Sequence, residues 1–200
     1  IKSYSLIFAI YVCYAACYCL MFYLLVNKGI LRKTIDCLKN MLPAAITALS
    51  TMSSAITMPV TILCTEKNVK HKDLASSVIS TTTNIHLLGD CLAIPMLAYA
   101  LLKYYSIPEP TCVEYLVFTI FFVIAKFSVA AVPAGGIIIM TPILEKYLHF
   151  TPEMSSLIIA IYMIFDPIVT SFNVLGNGAL AKLIDQLYDK FVYRKKSSTS

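Results

Sequence analysis

From Ser5 to Val26 the chain runs without one charged residue, and no other feature limits the possible folds so tightly. About 20 mostly apolar residues in helical form cross a hydrocarbon core roughly 30 Å thick. Inside such a core every backbone N–H and C=O needs an internal partner, so an isolated spanning segment must be a helix. Composition agrees: 58% of the 200 residues are hydrophobic and 14% charged, with a mean hydropathy of +0.77. Soluble domains average roughly 45 to 50% apolar, so an ordinary soluble domain is excluded. The 13 Tyr and 10 Phe exclude intrinsic disorder, which is poor in aromatics.

Further along, the apolar runs become too short to cross. Residues 41–49 and 55–64 are apolar arms of about ten residues, each about 15 Å long as helix, separated by Ser50-Thr51-Met52-Ser53-Ser54. Half-length arms with a polar tip predict a re-entrant hairpin over 34–65, of the kind tolerated at membrane depth where the tip packs in protein or lines a cavity. A long segment over 73–103 is interrupted by a polar run from Ser76 to Asn84, then by His86, Gly89 and Asp90. A second hairpin is predicted over 111–148, with the small-residue tip Ser128-Val129-Ala130-Ala131-Val132-Pro133-Ala134-Gly135-Gly136. The last crossing, over 152–192, carries Asp166, Pro167, Asn173, Gly176, Asn177 and Gly178 in its middle and is also expected to be interrupted. The fold class is thus an all-α membrane protein in a single transmembrane domain. It has three long helices, the first over 5–26 and two of them interrupted, plus two re-entrant hairpins.

Charge gives an independent check on this layout. If each hairpin returns to the side it entered, the segments 27–40 and 65–73 and the C-terminus share one side, which holds most of the Lys and Arg. The other side holds Lys2, Lys103 and Lys146, offset by Glu109, Glu114, Glu145 and Glu153. The positive-inside rule then places the C-terminus in the cytoplasm, the first hairpin entering from inside and the second from outside. Hairpin and broken helix followed by an inverted hairpin and broken helix is the recurring plan of secondary transporters, with substrate and ions held at the breaks. The net charge of +5 belongs to loops bordering spans and not to a nucleic-acid surface. The seven Cys form no CxxC pair and no Cys/His cluster, which predicts neither a metal site nor a disulfide framework. No nucleophile motif or paired catalytic carboxylates point to an enzyme, and no cofactor is expected.

Three motifs carry a resemblance. Thr51-Met52-Ser53-Ser54-Ala55-Ile56-Thr57-Met58-Pro59-Val60-Thr61 resembles the serine-rich hairpin tip, TSSSSATLPVT, of the dicarboxylate/amino acid:cation symporters, the glutamate-transporter-like family. Ala131-Val132-Pro133-Ala134-Gly135-Gly136 is similar to that family's second tip, GVPGAG. Asp166 to Thr170, Asn173 and Gly176-Asn177-Gly178 are similar to its last helix. The resemblance implies an elevator-type secondary transporter of amino acids or dicarboxylates, multi-pass in the plasma or inner membrane. It also implies a homotrimer assembled through an N-terminal scaffold that this chain, which opens on Ile1, does not include.

What the resemblance implies for single residues follows the motifs. Asp166 matches the carboxylate that holds the substrate ammonium; a structural hydrogen-bonding acid beside Pro167 is the alternative. Asn173 lies two helical turns later on the same face and matches the ligand of the substrate carboxylate, with a second role among the ion-coupling candidates. Ser53, Ser54, Val132, Pro133, Gly136, Val169 and Thr170 complete the expected substrate site. Val169 stands where members handling acidic side chains carry an arginine, and arginine recognises carboxylates bidentately. The expectation is therefore a neutral amino acid, with an acidic amino acid or dicarboxylate, or a non-transporting membrane subunit, as alternatives.

The ion sites depart from the family. Without gaps, its NMDGT break falls on His86-Leu87-Leu88-Gly89-Asp90, so the sodium-liganding aspartate is Leu88, and the last-helix aspartate is Asn177. A one-gap register keeps Asn84 as the asparagine and still supplies no aspartate. Losing carboxylates weakens an oxygen cage for sodium. Lys126 falls near another of the family's sodium positions, where an ammonium replaces or repels the ion; a lysine snorkelling toward the interface is the alternative. His86 and Asp90 stand at i, i+4, neighbours if that segment is helical, either as a proton relay or as a satisfied buried pair. The coupling ion is thus proton or sodium, with proton coupling or coupling-free exchange favoured.

Overall fold

The computed structural model describes residues 2–129 and 133–193 and is helical throughout the described residues, with no strand. The helices are α1 (Lys2–Val26), α2 (Leu31–Thr51), α3 (Ser54–Thr65), α4 (Lys72–Thr82), α5 (Leu88–Tyr104), α6 (Cys112–Lys126), α7 (Gly135–Leu148) and α8 (Pro152–Tyr188), followed by a π-helical turn at Asp189–Tyr193. Two segments, Ser5–Val26 and Pro152–Val192, are long and apolar enough to cross a membrane.

α1 buries one stripe and exposes the rest. Tyr11, Ala15, Cys19 and Tyr23, four residues apart, are buried, while Leu6, Ile10, Tyr14, Met21 and Leu25 on the other faces are exposed. Apolar side chains all round a helix are what a lipid environment asks for. The two buried tyrosines find acceptors for their hydroxyls, as buried phenols generally do. Tyr11 donates to the Gly89 carbonyl of α5 at 3.3 Å, and Tyr23 to the Leu175 carbonyl of α8 at 3.0 Å.

α2 and α3 form a hairpin turned by two residues. Met52 adopts the left-handed conformation (φ 49°) and returns its N–H to the Ala48 carbonyl, while Ser53 N-caps α3 by accepting the Ile56 N–H at 3.3 Å. Thr51 and Thr57 close the turn with a hydroxyl contact of 2.8 Å. The second hairpin, α6 and α7, opens on a capping box between Thr111 and Glu114. Its α7 begins after Ala134, also left-handed at φ 57°.

Residues 83–87 separate α4 from α5. The local cause is legible: the hydroxyls of Thr82 and Thr83 donate back to the Val78 and Ile79 carbonyls at 2.8 and 2.7 Å, competing with the backbone ladder. The His86 N–H then folds onto the Thr82 carbonyl. α8 differs from expectation, because it is one uninterrupted α-helix from Pro152 to Tyr188 and not a broken one. Pro167 removes a single N–H, and its own carbonyl accepts from the Ser171 hydroxyl at 3.0 Å. The glycines serve close packing: a Cβ on Gly176 would lie 2.9 Å from Leu88 Cβ, and one on Gly178 2.6 Å from Met41 Cε.

α8 is the central post. A large apolar cluster joins it to α1, α5, α6 and α7 through residues such as Tyr11, Ile94, Phe118, Met140 and Phe165, and a second joins it to α1, α2 and α3 through Cys19, Met41, Ala44 and Cys64. The Ser171 hydroxyl shares its one proton between the Pro167 carbonyl and the Ala45 carbonyl of α2, 2.9 Å away.

Candidate functional site

Against this post the two hairpin turns and the start of α5 converge on one small cavity. Its wall is Met52 and Ser54 from the first hairpin, Leu87 and Asp90 from α5 and the residue before it, Val129 and Gly136 from the second hairpin, and Tyr162, Asp166, Thr170 and Asn173 from α8. The α8 contribution follows from spacing, since steps of four, four and three residues keep side chains on one helical face.

Asp166 is buried and accepts two neutral donors: the Ala134 N–H on Oδ2 at 2.8 Å and the Thr170 hydroxyl on Oδ1 at 3.2 Å. No ion pair to it is present among the described residues. A buried carboxylate with neutral donors only is an electrostatic demand for a cation. Asn173 turns its Oδ1 to the start of α5, accepting from the Gly89 N–H at 2.7 Å and the Asp90 N–H at 3.4 Å. That bond caps two orphan helix donors and leaves the Asn173 Nδ2 as the donor end.

Asp90 is held on both oxygens. Lys126 Nζ lies 3.0 Å from Oδ2, with both side chains about 95% buried, and the Tyr162 hydroxyl donates to Oδ1. The pair is admitted by Gly136, where a Cβ would stand 2.7 Å from Asp90 Oδ2 and 3.2 Å from the Tyr162 oxygen.

The expected site residues therefore divide. Ser54, Gly136, Asp166, Thr170, Asn173 and Asp90 share the cavity, and Lys126 reaches its edge through Asp90. Ser53 is buried and serves as the α3 cap. Pro133 is exposed, and Val132 lies outside the described residues. Val169 is fully buried in the apolar cluster, and its carbonyl lies where Gly89 has no side chain. His86 and Asp90 do not pair: the break before α5 falls between them, and the carboxylate turns to Lys126 and Tyr162 instead. His86 sits instead beside Phe22 and near Gly176, and no hydrogen bond of standard geometry reaches His86 Nδ1 or Asn177 Oδ1, both buried, among the described residues. Sequence reasoning passed over Tyr162 and Ala134. Tyr162, four residues before Asp166 on the same face, was reachable by periodicity; the Ala134 N–H, a backbone group, leaves no such signal.

The sodium:dicarboxylate symporter family matches residues 1–187. Among curated proteins the chain is 30% identical over 151 residues to excitatory amino acid transporter 1 of Ambystoma tigrinum, covering 74% of this chain and 27% of that protein. It is 28% identical over 149 residues to the human excitatory amino acid transporter 1, covering 74% and 27%. With excitatory amino acid transporter 3 of Mus musculus it shares 27% identity over 172 residues, covering 86% and 32%. The chain thus spans about a quarter to a third of the length of these relatives. With Asp166, Thr170 and Asn173 on one cavity between two hairpin turns and the family match over nearly its whole length, the chain belongs to the sodium:dicarboxylate symporter family.

Proposed function

We propose that this chain is the substrate-carrying part of a secondary active transporter of amino acids, with Asp166 taking the substrate's α-ammonium. The family is one of symporters and not of enzymes. The observation that carries the reading is Asp166 itself, a buried acid on an apolar helix whose donors are both neutral. An intramembrane carboxylate in that condition is a functional site by default. The substrate ammonium would displace the Ala134 N–H from Oδ2, and the donors of Asn173 Nδ2 and the Ser54 side of the cavity suit the α-carboxylate. A cavity of about 20 Å³ has room for about one water, so admitting an amino acid requires its walls to separate.

In the bilayer, α1, the interrupted α4–α5 segment and α8 would span, the α2–α3 and α6–α7 hairpins would re-enter, and the C-terminus would face the cytoplasm. The chain would move as an elevator within a homotrimer assembled through other parts of the protein. For the substrate, the relatives' names favour an acidic amino acid over the neutral one that Val169 led us to expect. Val169 itself is buried in the apolar cluster and does not line the cavity. A neutral substrate remains the second reading, resting on the absence of an arginine there.

The test is uptake by the protein reconstituted in vesicles, using radiolabelled glutamate, aspartate, alanine and serine. Glutamate or aspartate should accumulate, and Asp166→Asn should reduce uptake by roughly 100-fold or more, as removal of one partner of a buried charge contact does. Preference for alanine or serine would select the neutral reading. Equal uptake by wild type and Asp166→Asn would overturn the ammonium site.

A further inference from the structure

Three charged side chains are buried around the cavity: Asp90, Lys126 and Asp166. They are not equivalent. Asp90 has a cation 3.0 Å from one oxygen and a phenol on the other, so its charge is cancelled by groups that belong to the protein. Among the described residues, Asp166 has the Ala134 N–H and the Thr170 hydroxyl and no cation. Lys126 also lies over the Phe122 ring, 5.3 Å from its centroid, which further favours an ammonium at that spot. The assembly draws on α5, α6 and α8 and is roofed by the α7 backbone at Gly136.

Two bare carboxylates beside one low-dielectric cavity repel each other and each carries a large desolvation penalty. A carrier holding such a pair would need a mobile cation for each before the loaded site could cross the membrane. Here one of the two already has a cation, and it is covalently attached. We infer that Lys126 is a tethered counter-ion that does at Asp90 what a co-transported monovalent cation would otherwise do, so each cycle needs one mobile cation fewer. The inference rests on the transporter reading above and adds the ion requirement at Asp90. Asp90 and Lys126 cancel, and the single negative charge left at the site, on Asp166, is the one that a substrate ammonium neutralises. A lysine suits this role, because its ammonium is a compact point charge with three donors, whereas a guanidinium would have to share the narrow space left by Gly136.

The test compares wild type, Lys126→Met and Asp90→Asn/Lys126→Met, purified and reconstituted, in amino acid exchange with sodium, choline or methylammonium as the only cation. Lys126→Met leaves Asp90 bare and should acquire a cation requirement absent from wild type. Its exchange in choline should fall about tenfold or more relative to wild type, consistent with a buried uncompensated charge, and sodium or methylammonium should restore it. The double variant, with no charge at either position, should return to the wild-type cation dependence. In parallel, thermal unfolding should show sodium or methylammonium stabilising Lys126→Met more than wild type. The inference is overturned if Lys126→Met keeps the wild-type cation dependence, or if the folded double variant is inactive in every cation. Should Lys126→Met fail to fold, the double variant decides by the same criterion. Should wild type exchange no amino acid at all, the transporter reading fails, and the unfolding comparison still decides whether Lys126 occupies a cation position.

Discussion

At the scale of single residues, the site depends on what is missing as much as on what is present. Gly136 has no side chain where a Cβ would stand 2.7 Å from Asp90 Oδ2 and 3.2 Å from the Tyr162 hydroxyl, and both of those atoms are fixed by their own hydrogen bonds. Gly136→Ala should therefore force the Asp90, Lys126 and Tyr162 cluster apart, lowering stability by about 1 to 3 kcal/mol as overpacking generally does. Thermal unfolding of the detergent-solubilised protein checks this, with an expected drop of about 2 to 4 °C per kcal/mol for a chain of this size. An unchanged melting temperature would mean that the cluster can move aside. The α8 part of the site was legible in the sequence, because Asp166, Thr170 and Asn173 sit at helical spacing in an otherwise apolar run. The pairing of Lys126 with Asp90 was not: the two are 36 residues apart, and nothing local to either one names its partner. An unpaired charge in each of two apolar stretches was the available signal.

At the scale of elements, the same residue type means different things in different helices. Gly89 faces the carbonyl of Val169, a backbone group of α8 with nowhere to go, whereas Gly178 faces two side chains, the terminal methyl of Met41, which can rotate, and the Tyr23 hydroxyl, which is held by the Leu175 carbonyl. Gly89→Ala should accordingly destabilise by about 3 kcal/mol or more, and Gly178→Ala by less, about 1 to 2 kcal/mol, because Met41 can repack while Tyr23 has to give up or bend its hydrogen bond. Comparing the two unfolding temperatures tests the α5–α8 contact directly; equal effects would contradict it. This is also why the continuity of α8 could not be read in advance. Gly176-Asn177-Gly178 and Pro167 look like helix breakers along the sequence, yet their packing role depends on Leu88, Met41 and Tyr23, which are distant in the chain. The interruption between α4 and α5 was legible because its cause is local, in hydroxyls that compete for carbonyls one turn back.

At the scale of the whole molecule, α8 organises everything else, and the surface it leaves outward is apolar. Leu6, Leu25, Leu63, Leu116, Ile124 and Ile164 are all more than half exposed, an outer face suited to lipid. Inside that shell one cluster of buried polar groups lies where both hairpins meet Asp166. Helix termini and small-residue turns meeting buried acids near the middle of apolar elements are how secondary transporters hold a charged substrate. The family match over residues 1–187 agrees with that architecture, and the proposed chemistry reduces to one contact, a substrate ammonium on Asp166. The most direct measurement is competition in reconstituted vesicles between the transported amino acid and its analogue lacking only the α-amino group. If Asp166 binds the ammonium, the analogue competes at least about 100-fold more weakly against wild type, the loss expected when a buried charge is left without its partner, and Asp166→Asn erases most of that discrimination. Equal competition by the two compounds against wild type would contradict it.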